Sequence, residues 1–172
     1  MPKIFQKIMT FAVVLLLANS VIAQDNNYHM PNATEPMDNL TVGGQPSEQD
    51  IHAFKAAGIE TIINLRLPGE FDSFDESKLV KDLGMIYISI PVEGRAGVTV
   101  ENAAALHAAL EQADGKVVLH CASGFRAASL LALEQYLHEG LDQSDAIDLA
   151  VSATGDRVRD FVTGLIADTP RD

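Results

Sequence analysis

The chain contains a single cysteine, Cys121, in a loop whose residues suit nucleophilic chemistry on an anion. This loop covers residues 120–126 and joins an apolar run at 116–119 to a helix-forming run at 127–138. Backbone N–H groups at the start of a helix bind anions, and the helix dipole adds partial positive charge there. The same surroundings favour the thiolate of a cysteine, which is its nucleophilic form. We therefore predict an enzyme in which Cys121 is the nucleophile and faces an anion-binding loop.

Arg126 completes this predicted site, because its planar guanidinium can bind an oxyanion through two N–H groups. The residues that we assign to the anion-binding loop are Ala122, Ser123, Gly124, Phe125 and Arg126. His120 either orders the loop through hydrogen bonds or is simply a buried histidine of the preceding strand. Arg66 and Glu70 either form an ion pair that shapes the wall of the cleft or remain solvated, and we favour the ion pair.

A structural role for the cysteine is the alternative to catalysis. Cys121 has no partner for an intramolecular disulfide and no second cysteine with which to form a zinc site. A simple core strand would not explain why Gly124 and Arg126 follow it, so we favour the nucleophile. The remaining histidines show no spacing typical of metal ligands, and we predict neither a metal nor a cofactor.

Residues 1–23 have the features of a signal peptide. Two lysines give a basic start, residues 11–17 are apolar, and the predicted cleavage point lies after Ala23. The apolar stretch is short for a transmembrane helix, although an uncleaved membrane anchor is the alternative. We therefore expect an exported, periplasmic protein with a flexible leader at 24–37 and one domain at 38–172.

The composition is strongly acidic and limits the partners of the protein. The chain has 24 Asp and Glu against 12 Lys and Arg, for a net charge of −12. Two of the lysines lie in the predicted signal peptide, so the processed protein is more acidic still. Such a surface repels the phosphates of nucleic acids and of anionic lipids. We expect no nucleic acid as a partner and, after signal cleavage, no membrane. The sequence predicts no particular oligomeric state.

Strand-forming and helix-forming segments alternate along the chain. The predicted strands are 40–42, 60–65, 85–90 and 116–119, and the predicted helices are 47–57, 75–83, 99–113, 127–138, 144–152 and 156–167. This alternation favours a three-layer α/β/α sandwich with a mostly parallel sheet. The loops that begin near Arg66, Glu93 and Cys121 each follow a strand. They are therefore expected to line one cleft at the carboxyl edge of the sheet.

Four segments, taken in order, resemble one known family. They are 44–47 (Gly-Gln-Pro-Ser), 62–66 with Glu70, 90–92 (Ile-Pro-Val) and the cysteine loop. Together they are similar to the beta-lactamase hydrolase-like, phosphatase-like domain family, which is also catalogued as a family of sulfur transferases. The resemblance covers residues 38–155 and implies a fold like that of dual-specificity tyrosine phosphatases. It also implies that Cys121 is the nucleophile and that Arg126 binds the oxyanion.

The length of the cysteine loop bears on which group is transferred. Tyrosine phosphatases place five residues between the cysteine and the arginine, whereas rhodanese-type sulfurtransferases have a shorter loop. Four residues lie between Cys121 and Arg126. A shorter nest presents a smaller ring of N–H groups to its anion, and a persulfide needs less room than a tetrahedral phosphate. The spacing therefore favours sulfur transfer.

Two more positions depart from the phosphatase pattern. Phosphatases of this superfamily carry an aspartic acid after the Ile-Pro strand, where this chain has Glu93 and then Gly94. They also carry a hydroxyl residue directly after the arginine, where this chain has Ala127. Glu93 remains a candidate general acid, and we assign it to the catalytic set with Cys121 and Arg126.

Three functions stay open at this point. We favour a sulfurtransferase that carries sulfane sulfur on Cys121, with a small sulfur donor and a thiol acceptor as substrates. The first alternative is a phosphatase that hydrolyses phosphomonoesters through a phosphocysteine, with Glu93 as acid and then base. The second is a domain without catalysis that binds anions or senses oxidants through Cys121.

Overall fold

The computed structural model describes residues 28–171. The predicted signal peptide, its cleavage point and the first four residues of the predicted leader therefore lie outside the described residues. Within the described part of the chain, no helix is both long enough and apolar enough to cross a bilayer.

Five strands form one sheet in which four neighbouring strands are parallel. The strands are β1 (Thr34–Met37), β2 (Leu40–Gly43), β3 (Ile59–Asn64), β4 (Ile86–Ser89) and β5 (Lys116–His120). Their order across the sheet is β1-β2-β5-β3-β4. Only β1 is antiparallel to its neighbour, β2. The predicted mostly parallel sheet is thus confirmed, and β5 occupies its centre.

The helices lie close to the predicted positions. They are α1 (Glu48–Ala56), α2 (Glu76–Asp82), α3 (Val100–Gln112), α4 (Phe125–Leu137), α5 (Gln143–Thr154) and α6 (Arg159–Ala167), the last preceded by a 3₁₀ turn at Asp156–Val158. Ser47 caps α1 with its side chain and forms a reciprocal capping box with Asp50, as the sequence predicts. Asp75 and Thr99 cap α2 and α3, respectively, because their side-chain oxygens accept a hydrogen bond from a backbone N–H of the first turn.

Separate hydrophobic clusters on the two faces of the sheet establish the three layers. Ile62 of β3 and Val118 of β5 are buried in one cluster with Phe54 of α1. Their neighbours Ile63 and Leu119 are buried on the other face, in the cluster that contains α3 and α4. Because side chains alternate along a strand, burial of adjacent residues in different clusters requires helices on both faces. The predicted α/β/α sandwich is therefore confirmed.

The prediction of a flexible leader at 24–37 is wrong for its described part. Residues 34–37 form β1, and Met30 is only 3% exposed. The ring of Tyr28 packs edge-on against Phe54 with 4.8 Å between centroids. The hydroxyl of Thr34 donates to the carbonyl oxygen of Ala153 in α5, at 3.0 Å. A few apolar anchors and main-chain pairing with β2 order a segment whose composition is polar, so the folded domain begins before residue 38.

Candidate active site

The cysteine loop lies where the sequence places it, between the central strand and the helix that covers it. β5 ends at His120 and α4 begins at Phe125. Cys121 is 1% exposed, and its Sγ accepts a hydrogen bond of 3.2 Å from the N–H of Gly124. The first N–H groups of α4 have no carbonyl partner within the helix, as at any helix start. The sulfur is therefore held at the end of a helix that favours negative charge.

The carbonyl groups of the loop are bound by other parts of the chain. The N–H of Gln45 donates to the carbonyl oxygen of Ala122 at 3.2 Å. Ser123 accepts through its carbonyl oxygen from Asn32 at 3.1 Å and from Arg157 at 2.6 Å. In a planar trans peptide the N–H points opposite to the C=O. Holding these two carbonyls therefore directs the N–H groups of Ser123 and Gly124 to the other side, and the second of them reaches the sulfur.

Gly124 is required by its backbone conformation and by its close neighbours. Its φ of +88° lies in the left-handed region, which residues with a side chain rarely adopt. A Cβ at this position would lie 3.3 Å from a methyl carbon of Thr154 and 3.4 Å from the backbone of Gly43. The turn that brings the Gly124 N–H onto the sulfur thus depends on glycine.

Arg126 is fixed by a carboxylate and by main-chain oxygens. Its two terminal nitrogens donate to both oxygens of Glu70, at 2.8 and 2.6 Å, and one of them also donates to the Val92 carbonyl at 2.7 Å. The hydrogen bonds from Arg126 lower the pKa of Glu70 to about 2. The hydrogen bonds with Glu70 raise the pKa of Arg126. The guanidinium therefore stays charged and is held in one orientation in the cysteine loop.

Arg66 shares the same carboxylate. Its Nε lies 3.7 Å from an oxygen of Glu70, its Nη1 donates to Gln45, and its guanidinium stacks over the ring of Phe71 at 4.7 Å. The structure thus brings Arg66 and Glu70 together as the sequence predicts, and adds Arg126 as a second and closer partner of Glu70. Two cationic side chains therefore meet one carboxylate at the edge of the sheet.

His120 is fully buried and belongs to a polar network behind the loop. Its Nε2 lies 2.7 Å from a carboxylate oxygen of Glu76, at the start of α2. The other oxygen of Glu76 accepts from Gln45 at 2.8 Å. Gln45 is also the residue that binds Arg66, so the network runs from the strand end to the wall of the cleft. His120 is both buried and hydrogen-bonded, and these contacts hold the residue that precedes Cys121.

Glu93 is exposed and makes no contact of this kind. Within residues 28–171 its carboxylate forms no hydrogen bond or ion pair. Its loop does lie over the site, since the preceding carbonyl, of Val92, accepts from Arg126. Arg95 in the same loop stacks over the rings of Phe125 and Phe161, at 4.7 and 5.4 Å. The loop is therefore anchored on both sides of Glu93, while the carboxylate itself is unattached.

Several residues of the site were missed by sequence reasoning. They are Gln45, Glu76, Asn32 and Arg157. Gln45 lies in one of the segments that carry the family resemblance, which could have drawn attention to it. The others are 34 to 91 residues away from their partners in the cysteine loop or strand, and no local pattern marks them.

Away from the cysteine loop, one histidine lies among carboxylates. His107 Nδ1 is 2.9 Å from Glu134 and 3.5 Å from Glu139, and one ligand atom from each of the three residues lies within 4.8 Å of the others. The hydrogen bond with Glu134 raises the pKa of His107 and so favours an ion pair. Spacing along the sequence did not indicate this cluster. The expectation of no metal site remains a prediction.

A family model and curated proteins match this chain. The model of a family described as "Beta-lactamase hydrolase-like protein, phosphatase-like domain" matches residues 34–138, beginning at the first residue of β1. A beta-lactamase hydrolase-like protein of Agrobacterium fabrum is 34% identical over 113 residues, which make up 63% of this chain and 26% of that protein. One of Xylella fastidiosa is 31% identical over 120 residues, 67% of this chain and 27% of that protein. The chain thus spans about a quarter of the length of these curated relatives.

Solved structures show the same fold. A DUF442 protein of Shewanella putrefaciens has a TM-score of 0.63 at 30% identity, with 81% of this chain and 93% of that chain covered. The core catalytic domain of the PP-IP phosphatase SIW14 of S. cerevisiae has a TM-score of 0.62 at 16% identity, with 81% and 86% covered. At 16% identity, the similarity to SIW14 concerns the fold alone. The tyrosine-phosphatase-like fold that the sequence predicts is confirmed.

Proposed function

The chain belongs to the family of the beta-lactamase hydrolase-like protein, phosphatase-like domain, and we propose that it transfers sulfane sulfur through a persulfide on Cys121. The fold is that of cysteine-nucleophile phosphatases, so the proposal concerns which group the nucleophile carries. The observation on which it rests is the size of the cysteine loop. Four residues connect Cys121 to Arg126, and the Gly124 N–H already lies on the sulfur. A loop this short suits a single added sulfur atom.

The proposed reaction has two steps. The thiolate of Cys121 attacks the sulfane sulfur of a donor such as thiosulfate, so that a new S–S bond forms, the donor S–S bond breaks and sulfite leaves with the bonding pair. An acceptor thiolate then attacks the terminal sulfur, takes it as a new persulfide and releases the Cys121 thiolate. Neither step needs a proton on the leaving group, because sulfite and thiolate are stable anions.

The contacts of Arg126 and Glu93 support this chemistry. Arg126 is fixed by Glu70 and Val92, which suits a group that must bind the oxyanion of a donor in one orientation. Glu93 is the only candidate for a general acid that the sequence offers in its loop, and its carboxylate makes no hydrogen bond or ion pair within residues 28–171. Ala127 follows Arg126 and supplies no hydroxyl to assist departure of the thiolate. These features favour a reaction without acid catalysis.

A phosphatase is the second candidate, and the structural comparison favours it. The DUF442 protein of Shewanella putrefaciens is named as a proposed phosphatase, and it shares 30% identity with this chain. In this mechanism Cys121 attacks phosphorus, Glu93 protonates the leaving oxygen, and Glu93 then activates water to hydrolyse the phosphocysteine. This would require the Glu93 loop to turn its carboxylate onto the bound ester.

Two assays on one preparation separate the candidates. Protein purified after expression of the full-length chain is tested for transfer of sulfur from thiosulfate to cyanide and for hydrolysis of an aryl phosphate. Cys121→Ser and Glu93→Gln are compared with the unaltered protein in both assays. Sulfur transfer that is lost in Cys121→Ser and retained in Glu93→Gln supports the proposal. Phosphate release that collapses in Glu93→Gln, without sulfur transfer, overturns it in favour of the phosphatase. Absence of both activities leaves the anion-binding or redox-sensing function.

We further propose that the protein acts outside the cytoplasm after cleavage following Ala23. The basic and apolar pattern of residues 1–23 supports export, and the acidic composition supports small-molecule substrates over nucleic acid. Mass spectrometry of the protein recovered from a periplasmic extract tests this location. A mature N-terminus at Gln24 supports it, whereas full-length protein confined to the cytoplasm contradicts it.

A further inference from the structure

A cavity of about 330 Å³ opens between the end of β3, the start of α2 and β4. The side chains that matter for its chemistry are Arg66, Phe71, Phe74, Tyr87, Ser89 and Glu76. Its walls come from the end of β3, the loop after it, the start of α2 and the strand β4. Its size is typical of a pocket for a small organic molecule. Cys121 is not part of the lining, so the cavity is separate from the cysteine loop.

The cavity and the nucleophile are nevertheless adjacent. Asn64 at the end of β3 is the register partner of His120 at the end of β5, and the N–H of Leu65 donates to the carbonyl of His120 at 2.9 Å. Neighbouring strands lie ~4.8 Å apart, so Arg66 follows β3 at the level where the cysteine loop follows β5. Arg66 also contacts Glu70, the partner of Arg126. A molecule that fills the cavity can therefore extend one end toward the sulfur.

Arg66 is a buried cation with hydrogen-bonding capacity to spare. It is 7% exposed, and its buried Nε lies 3.7 Å from a Glu70 oxygen, an ion pair without a hydrogen bond. Among residues 28–171, its side chain makes one hydrogen bond, from Nη1 to Gln45. A guanidinium has five N–H donors, so Arg66 can still donate to a ligand while it keeps these contacts. Phe71 covers one face of the guanidinium and so fixes its plane.

The remaining polar side chains of the cavity include one phenol, Tyr87, and two carboxylates, Asp75 and Glu76. The Asp75 carboxylate caps α2. Tyr87 accepts a hydrogen bond of 2.8 Å from Asn64, so its own O–H is left to donate. Burial raises the pKa of Tyr87, and the hydroxyl therefore keeps its proton. Glu76 also lines the cavity, but both of its oxygens are occupied by His120 and Gln45. A guanidinium and a phenol donor together suit a carboxylate.

Two aromatic rings give the cavity an apolar wall. Phe71 and Phe74 form an edge-to-face pair with 5.1 Å between centroids, and both line the cavity. An apolar wall of this kind binds the hydrocarbon part of a ligand. The cavity thus combines a cation, a hydroxyl donor and an aromatic surface. An inorganic ion uses only the first of these.

We propose that this cavity binds the organic part of the acceptor, a small thiol that carries a carboxylate, with the carboxylate on Arg66 and the thiol directed at Cys121. The inference rests on the proposed sulfur transfer and names its second substrate. In the acceptor step, the bound thiolate attacks the terminal sulfur of the Cys121 persulfide as described above. The S–S bond to Cys121 breaks, and the carboxylate takes no part beyond binding.

The kinetic test uses two acceptors that differ only in the charged group. These are 4-(mercaptomethyl)benzoate and 4-(mercaptomethyl)benzyl alcohol, assayed with thiosulfate as donor. We expect kcat/KM to be at least about tenfold higher for the carboxylate, the ratio typical of a charged hydrogen bond. In Arg66→Met the ratio falls to near one, and in Arg66→Lys part of it remains. The two acceptors are compared within each variant, so a general loss of activity in Arg66→Met does not alter the ratio.

Arg159→Met is the matched control. Arg159 is exposed, its partners are Asp148 and Asp156, and it lies outside the cavity. The control should keep the full preference for the carboxylate. Equal kcat/KM for the two acceptors in the unaltered protein overturns the inference even if the Arg66 variants do not fold. An equal loss of preference in Arg159→Met overturns it as well.

A binding measurement separates this inference from the proposed function. Cys121→Ser protein is titrated with 4-methylbenzoate and with 4-methylbenzyl alcohol, and the aromatic NMR resonances of Tyr87, Phe71 and Phe74 are followed. Saturable shifts with the carboxylate alone, lost in the Arg66→Met background, support the cavity even where no sulfur transfer is found. Sulfur transfer without any such binding overturns the cavity and leaves the proposed function standing.

Discussion

The cysteine loop and the Glu93 loop lie on the same edge of the sheet and differ in how firmly their functional groups are held. Arg126 makes three short hydrogen bonds to Glu70 and Val92, and the sulfur of Cys121 receives the Gly124 N–H. Glu93, in contrast, is exposed and unattached among the described residues. The structure therefore holds the Arg126 guanidinium firmly next to Cys121 and gives the Glu93 carboxylate no comparable support among the described residues. Sulfur transfer needs the first of these groups and not the second.

Removal of the nucleophile should have the largest effect. In Cys121→Ser we expect sulfur transfer to fall by about 10³-fold or more, because a serine hydroxyl neither ionises readily nor forms a persulfide. The rate of thiosulfate-to-cyanide transfer measures this. Circular dichroism should be unchanged, because the substitution is nearly isosteric. Residual activity above a few per cent would place the chemistry elsewhere.

Replacement of the Arg126 guanidinium should have the second-largest effect on activity. Arg126→Lys keeps the charge but cannot bind Glu70 and an oxyanion in the same forked geometry, so we expect kcat/KM for thiosulfate to fall about 100-fold. Arg159→Lys, at an exposed position with ion pairs of its own, serves as the control and should retain full activity. Comparable activity of Arg126→Lys and the control would show that fixed orientation is unimportant.

Glu70→Gln weakens the support of Arg126 and should have an intermediate effect, about tenfold on kcat/KM. It should also reduce the free energy of unfolding at pH 7. The pKa of Glu70 is lowered from 4.5 to about 2, equivalent to ~3 kcal/mol at full effect, and the 28% exposure of its side chain reduces this to about 1–2 kcal/mol.

The pH dependence of this difference follows from the direction of the shift. Because the folded-state pKa is below the unfolded value, the contribution is complete above about pH 5 and is lost as the pH falls toward 2. Urea unfolding of the unaltered protein and of Glu70→Gln at several values in this range measures it. The two stabilities should converge in acid, and a constant difference would mean that the ion pair is not its source.

Glu93→Gln should have the smallest effect, less than about twofold on sulfur transfer, because an exposed carboxylate without partners contributes little. The same substitution would abolish most phosphatase activity if Glu93 were the general acid. This variant therefore distinguishes sulfur transfer, which should be retained, from phosphatase activity, which should be lost. A large loss of sulfur transfer would show that the Glu93 loop closes onto the site.

Local sequence patterns were sufficient for the elements that position the site. The capping residues Ser47 and Asp50, the β-branched strand β3 and the strand–cysteine–helix order are all set by interactions between near neighbours in the chain. β1 was missed because its order comes from main-chain pairing with β2 and contact with α5, which polar composition does not show. Composition alone thus placed the start of the domain too late.

The residues of the site that the sequence did not predict are positioned by contacts between distant parts of the chain. Glu76 binds His120 across 44 positions, and Asn32 binds Ser123 across 91. The double use of Glu70 by Arg66 and Arg126 also depends on the tertiary arrangement of two loops. Cys121 and Arg126, in contrast, are separated by only four residues, so both could be identified as candidates from their spacing in the sequence.

The most direct test of the central claim is the mass of the peptide that contains Cys121 after brief treatment with thiosulfate. The account predicts an increase of ~32 Da, one sulfur atom, that is removed by a thiol and is absent in Cys121→Ser. An unchanged mass under thiosulfate, together with trapping of ~80 Da as phosphate on Cys121 from an aryl phosphate, would contradict it.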